Sequence, residues 1–230
     1  MRTMAIGILG VIVTLGAAGR AFSQDAASYP TMAPLEQYLI TDSNAEIALA
    51  RTAAPESISA DAEVLVLGRH GYEVAVAGKN GFVCLVQRSW TAGTKDPEFW
   101  NAKLRSPICL NAAGVRSYLP LTIKKTEWAL AGQSKTQIAD HIKAAFEKKE
   151  LPLLEAGAMG YMLSKQGYVS DNGGHWHPHV MFFFPQTGVP NWGANLGGSP
   201  ILSAEDATER LTVFLIPVSR WSDGTADDTH

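Results

Sequence analysis

Three of the chain's six histidines fall within five residues, in the run His175-Trp176-His177-Pro178-His179. Residues 175–184 are aromatic-rich and predict a strand. On a strand alternate side chains share a face, so all three imidazoles are expected on one side. Neighbouring same-face positions lie about 6.6–7 Å apart at a rise of ~3.3–3.4 Å per residue. Two imidazoles at that spacing can converge on one ion with metal–nitrogen distances of roughly 2.0–2.1 Å, as zinc requires. The outer pair, His175 and His179, is twice as far apart, so all three share one metal only if the strand bends. Pro178 lacks an N–H and marks an edge or bulge where such a bend is possible. Further ligands must come from elsewhere, and the acceptors available are Asp171, His70 and Glu155. Zinc or another transition metal is the cofactor this pattern suits, and a bound metal would activate water for hydrolysis at neutral pH.

Other chemical signatures are missing. The sequence has no His-Glu-x-x-His, no Gly-x-Ser-x-Gly, no Ser-x-x-Lys and no glycine pattern of a nucleotide-binding loop. Ser164-Lys165 is a weak catalytic pair, because adjacent strand residues point to opposite faces. Tyr161 and Tyr168 are able to donate hydrogen bonds near the histidines, although tyrosines more often pack in the core or at its rim.

The elements that must position these groups are legible as patterns. Residues 35–53 read as helical with a break, and Ser43-x-x-Glu46 fits a capping box. Residues 63–67, 72–77 and 82–87 are three β-rich runs joined by Gly68-Arg69-His70-Gly71 and Gly78-Lys79-Asn80-Gly81. Asn-Gly favours a tight hairpin turn, so the three runs predict an antiparallel meander. The third run is apolar on both faces and is expected to be central. Asp96-Pro97 and Ser106-Pro107 each place proline where a helix can begin, and Pro120 interrupts the segment from residue 110 onward. Ser134-x-x-Gln137 is a second capping box, followed by Ile138, Ile142, Ala145 and Phe146 at helical spacing. Strands return at 158–163, 175–184 and 211–216, with a short helix over 203–210 between the last two. The fold class is therefore α+β: a mainly antiparallel sheet, built from an N-terminal three-strand meander and C-terminal strands, with a central helical segment packed on it.

The chain's beginning bears on its setting. A basic residue at Arg2, an apolar run from Met4 to Leu15 and small residues after it form the pattern of a secretory signal. The expected cut follows Ala21-Phe22-Ser23, with Ala17-Ala18-Gly19 as the alternative. The apolar run is shorter than the ~20 residues that a membrane span needs. The domain layout is thus a signal peptide over 1–23, a flexible mature N-terminus over 24–34, one domain over 35–221 and a disordered tail over 222–230. A soluble periplasmic or secreted protein is expected, with no stable membrane anchor after cleavage. Removing residues 1–23 takes away Arg2 and Arg20 and no acid, so the 22 acidic side chains then outnumber the basic ones further than in the whole chain, where there are 19. That balance provides no electrostatic footprint for nucleic acid. Export also favours a disulfide between the only cysteines, Cys84 and Cys109.

Three readings stay open on residues alone. One is an exported metal-binding protein using the histidine run. Another is a non-catalytic envelope protein that binds a partner or small ligand, with Trp192 and Trp221 on its surface. The third makes the histidines structural, with His179 satisfied by a backbone carbonyl, and puts the site elsewhere.

Overall fold

The computed structural model describes residues 29–171 and 176–228. The expected signal peptide, the turn at 172–174 and His175 lie outside the described residues. Tyr29, Met32 and Ala33 pack against the core beside Trp100, so this part of the expected flexible N-terminus is laid down on the domain.

The strands are β1 (Glu63–Gly68), β2 (Gly71–Val76), β3 (Val83–Gln87), β4 (Ser106–Leu110), β5 (Met159–Met162), β6 (His179–Pro185), β7 (Leu202–Asp206) and β8 (Leu211–Pro217). They form one sheet in the order β2-β1-β3-β4-β5-β6-β8-β7. The fold is α+β, with a mixed and mostly antiparallel sheet. The expected meander is not what forms. β2 pairs antiparallel with β1, but β3 lies on the other side of β1 and runs parallel to it. The physical reason is a tight crossing of the chain beneath the start of β1. Lys79 N–H donates to the Asp61 carbonyl and Glu63 N–H to the Phe82 carbonyl. A Cβ on Gly78 would stand 2.2 Å from the Glu63 nitrogen. Only glycine permits that approach.

β3 is central and buried along its whole length, as its two apolar faces require. Its neighbour β4 replaces the helix start expected at Ser106-Pro107. The proline is tolerated there for a geometric reason. Cys84 and Cys109 face each other across β3 and β4 with Cα atoms 4.0 Å apart, the close spacing of a non-hydrogen-bonded pair. Pro107, two residues before Cys109, therefore turns its nitrogen away from β3. On that other side β5 pairs only with Cys109 and Leu110, so no ladder bond is lost.

The helices are α1 (Ser43–Arg51), α2 (Glu56–Ser59), α3 (Ala112–Ser117), α4 (Leu119–Leu130) and α5 (Lys135–Glu147). α1 packs its Ala50, with Ala53 and Ala54 beyond its end, on the face of the sheet that carries Val64, Cys84, Val86 and Cys109. Its N-cap is Asp42 rather than Ser43. Glu46 turns inward to the buried Arg88, 2.9 Å away, instead of closing a capping box. α3 and α4 cover the opposite face over Leu65, Leu85, Ile108 and Leu110. Pro120 sits in the first turn of α4, where its missing N–H costs nothing. The Ser134–Gln137 capping box forms at the start of α5, and Ile138, Ile142 and Ala145 are its buried stripe.

Residues 203–210, expected as a helix, contribute edge strand β7 and a turn. The segment after Trp221 is folded as well. Trp221 is buried, its N–H bonds the Thr225 carbonyl, and Asp227 N–H bonds the Ser219 carbonyl. Of the two tryptophans expected on the surface, Trp192 is exposed and Trp221 is not. Among the described residues no helix is long and apolar enough to cross a membrane.

The disulfide joins Cys84 and Cys109 across a separation of 25 residues, fully buried beneath α1. Closing a loop of that size restricts the unfolded chain and is worth roughly 2–5 kcal/mol. The double variant Cys84→Ala/Cys109→Ala should unfold at a correspondingly lower urea midpoint. An unchanged midpoint would contradict a stabilising crosslink.

Candidate functional site

The histidine run does not lie on one long strand. β6 begins at His179, and residues 176–178 precede it without strand pairing. Trp176 lies over Gly167, where a Cβ would come within 3.3 Å of the indole, and its Nε1–H donates to the Ser164 carbonyl at 2.8 Å. His177 is part-exposed. Its Nδ1 is 2.7 Å from the Asp227 carboxylate, which is almost wholly buried. His179 is buried, its ring edge-on to Trp176 at 4.9 Å. Its Nδ1 lies 2.9 Å from the His177 carbonyl. A carbonyl accepts only, so this contact places the proton on Nδ1 and the lone pair on Nε2. The same argument holds for a neutral His177 against a carboxylate.

The other expected ligands are not gathered here. His70 sits in the turn between β1 and β2. β3, β4 and β5 stand between β1 and β6, a span of about 19 Å at ~4.8 Å per strand. The hoped-for approach of that hairpin to the histidines fails because the two strands are not neighbours. Asp171 accepts hydrogen bonds from the Tyr168 and Tyr29 hydroxyls and from Lys103 at 3.1 and 3.2 Å. These bonds, Tyr168 first, hold its carboxyl well below the usual carboxylate range. Glu155 forms a forked pair with Arg116. Among the described residues no group of three or more His, Cys, Asp or Glu side chains is assembled to hold a metal. Ser164 and Lys165 part company as well. The serine is buried against the Thr52 hydroxyl, and the lysine pairs with Asp223 at 3.1 Å.

Next to this region Glu98 anchors the chain that leads into residues 172–175. It accepts from the Ser170 hydroxyl, the Asp171 N–H and Asn101. Burial works to raise the Glu98 pKa, but those hydrogen bonds outweigh it and the carboxyl lies below its ordinary value.

The second feature was not anticipated. One face of β6 carries His179, Met181 and Phe183. Cross-strand register extends that face through Val213 and Leu211 of β8 to Ala204 and Asp206 of β7. The helices stop short of it, leaving an open cleft of about 300 Å3. Met181, Phe183, Leu211 and Val213 line its apolar side, and the 91–96 segment forms the opposite wall. At its inner end Lys125 of α4 and Glu209 form an ion pair with almost no solvent exposure. The lysine also donates to the Thr91 and Ala92 carbonyls at 3.0 and 2.6 Å. Burial pushes the Glu209 carboxyl up, and Lys125 works against that shift. Tyr118 stacks on Phe183 at 4.1 Å and closes the base. A larger groove of about 480 Å3 beside β1 is walled by the solvated Glu36–Arg69 pair, which defines a less rigid frame.

One signal for the cleft was present in the sequence. Lys125 stands four residues after Leu121 and four before Ala129, on the stripe that buries α4. A lysine on a buried stripe needs an anionic partner. Nothing in the sequence identified that partner as Glu209. No family model matches the chain, and neither does any curated protein or solved structure.

His179 supplies a pH test. Burial holds its imidazole below the ordinary value of 6.5, outweighing the hydrogen bond to His177. The unfolded chain therefore takes up a proton near pH 6.5 that the folded protein refuses, and stability falls as pH drops below that point. The denaturation midpoint of the wild type should drop more between pH 7.5 and pH 5 than that of His179→Gln. Equal losses would show that this ring does not carry the effect.

Proposed function

We propose that this is an exported small-ligand-binding protein whose site is the cleft between β6, β8, β7 and the 91–96 segment. The export part rests on the N-terminal signal pattern, and a buried disulfide suits an oxidising compartment. The binding part rests on one observation: an apolar sheet face left open beside buried and half-buried carboxylates, with a volume of about 300 Å3. That is the lower end of the range for small-molecule sites, which pair apolar walls with a few fixed polar groups. A methyl NMR screen with cationic, neutral and anionic fragments tests it. Binders should shift the Met181 and Val213 methyl signals. Ala204→Trp, which fills the cleft from an exposed position on the edge strand, should abolish those shifts while the protein stays folded. A screen in which no fragment moves these methyls overturns the reading.

A second reading keeps the histidines as metal ligands. It is favoured by the shared arrangement of His177 and His179, each with Nδ1 held by an oxygen acceptor. Such second-shell bonds orient ligating imidazoles and direct Nε2 to a metal. Zinc or another transition metal would then require a further ligand, for which His175 is nearest in sequence. Untagged protein exposed to zinc and desalted should retain about one equivalent, and His177→Ala/His179→Ala should retain none. Retention below about a tenth of an equivalent by the wild type sinks this reading; these thresholds follow from one site per chain.

A further inference from the structure

Resting on the cleft reading above, we propose that the ligand is a small organic monocation, a protonated amine or quaternary ammonium with a short apolar body. Lys125, the buried cation paired with Glu209 behind the cleft, has no free donor to offer a ligand. An ammonium group has three donors, and those of Lys125 are used by the Thr91 carbonyl, the Ala92 carbonyl and Glu209 Oε1. No donor is left for an anionic ligand, and the charge of Lys125 is offset by Glu209. The Glu209 carboxylate is 5% exposed and lines the cleft. Its second oxygen, Oε2, accepts no hydrogen bond among the described residues. That oxygen keeps some solvent contact, and in the cleft a ligand N–H or cationic carbon shell can take the place of the water.

The surrounding charges point the same way. Asp206 stands beside Glu209 and raises its pKa further. Its Oδ1 is taken by the Thr208 and Glu209 N–H groups at 2.8 and 3.0 Å. Oδ2 lies over Gly93, so close that a Cβ there would stand 2.5 Å from it. The glycine leaves this carboxylate room at the cleft wall. Asp96 and Glu205 add negative charge to the lining. The nearby Lys135 turns away, donating to the Asp96 carbonyl and lying over the Phe99 ring. Arg210 lies over Phe146 in an adjoining small pocket that shares Tyr118, Glu209 and Leu211 with the cleft, so its guanidinium is held on the far side of those residues by the ring. The cleft therefore keeps an excess of negative charge at one end, and the apolar side at Met181, Phe183 and Val213 receives the ligand's body.

Three probes of one shape separate this proposal from the reading beneath it: phenethylammonium, neutral 2-phenylethanol and anionic phenylacetate, each titrated into the full protein with the Met181 and Val213 methyls observed. The ammonium should bind about tenfold or more tightly than the alcohol, since a hydrogen bond to a charged partner is the stronger kind. The acetate should not bind. Asp206→Asn, which keeps the Lys125–Glu209 pair and the fold, should weaken the ammonium by about tenfold and leave the alcohol unchanged. Equal binding of alcohol and ammonium, or preference for the acetate, overturns the cation proposal and leaves the cleft reading standing. Silence from all three probes overturns the proposal too, and the wider fragment screen then decides whether the cleft binds anything.

Discussion

The middle strands of the sheet are buried on both faces, and the need to cover them twice dictates where the rest of the chain goes. β3 and β4 expose almost nothing along their length. A helix is about 10–12 Å across and strands are ~4.8 Å apart, so one helix covers about two strands. α1 with its following turn can cover one face near β1, β3 and β4, and α3 with α4 the other. Eight strands exceed that cover. The outer strands must be closed by other means or left open. On the α1 side the 186–200 loop brings Trp192 onto Phe182, Phe184 and Phe214, stacking on the last at 4.8 Å. Among the described residues nothing equivalent returns on the α4 side, and the cleft is the result.

Each cover is tied to the sheet by an ion pair from which water is excluded. Glu46 of α1 bonds both Arg88 and the Leu67 N–H, while Arg88 also donates to the Tyr38 and Val86 carbonyls. Lys125 of α4 reaches Glu209 just before β8. Burying such pairs costs several kcal/mol per ion before attraction is counted, so they are weak evidence of added stability. Removing one partner leaves an unpaired charge and is costly. Their effect is to select one placement of each helix, since any slip strands a charge in the core.

Much of the layout could be read from residue patterns, and the failures have physical causes. The two-faced apolar pattern of residues 82–87 placed β3 at the centre, and Ser134 with Gln137 marked the start of α5. Glu46 misled because a capping residue and a buried counter-ion look alike until Arg88 is placed beside it. Asn80-Gly81 marked a chain reversal but could not say on which side of β1 the chain would return; the contact between Gly78 and Glu63 decides that. Residues 203–206 lack strand periodicity and become a strand only by pairing with β8, a long-range contact. His70 could meet the histidine run only if their strands were neighbours, and strand order, which is not written in local pattern, separates them. The alternation rule did hold from His179 onward, where His179, Met181 and Phe183 share a face.

That last agreement connects the two features of the molecule. His179 stands one pleat from Met181, about 7 Å along the strand, on the face whose continuation lines the cleft. The ring is fixed by the His177 carbonyl and by Trp176, and Trp176 is in turn held by the Ser164 carbonyl. The head of β6 is therefore rigid where it meets the open face, and the base is rigid where Tyr118 stacks on Phe183. Between these fixed ends Ala204 and Glu205, exposed on the edge strand β7, form the cleft's outer side. The open face is therefore a preformed surface: contacts at its head and base fix it, and the covered half of the sheet behind it is fixed by the two buried ion pairs.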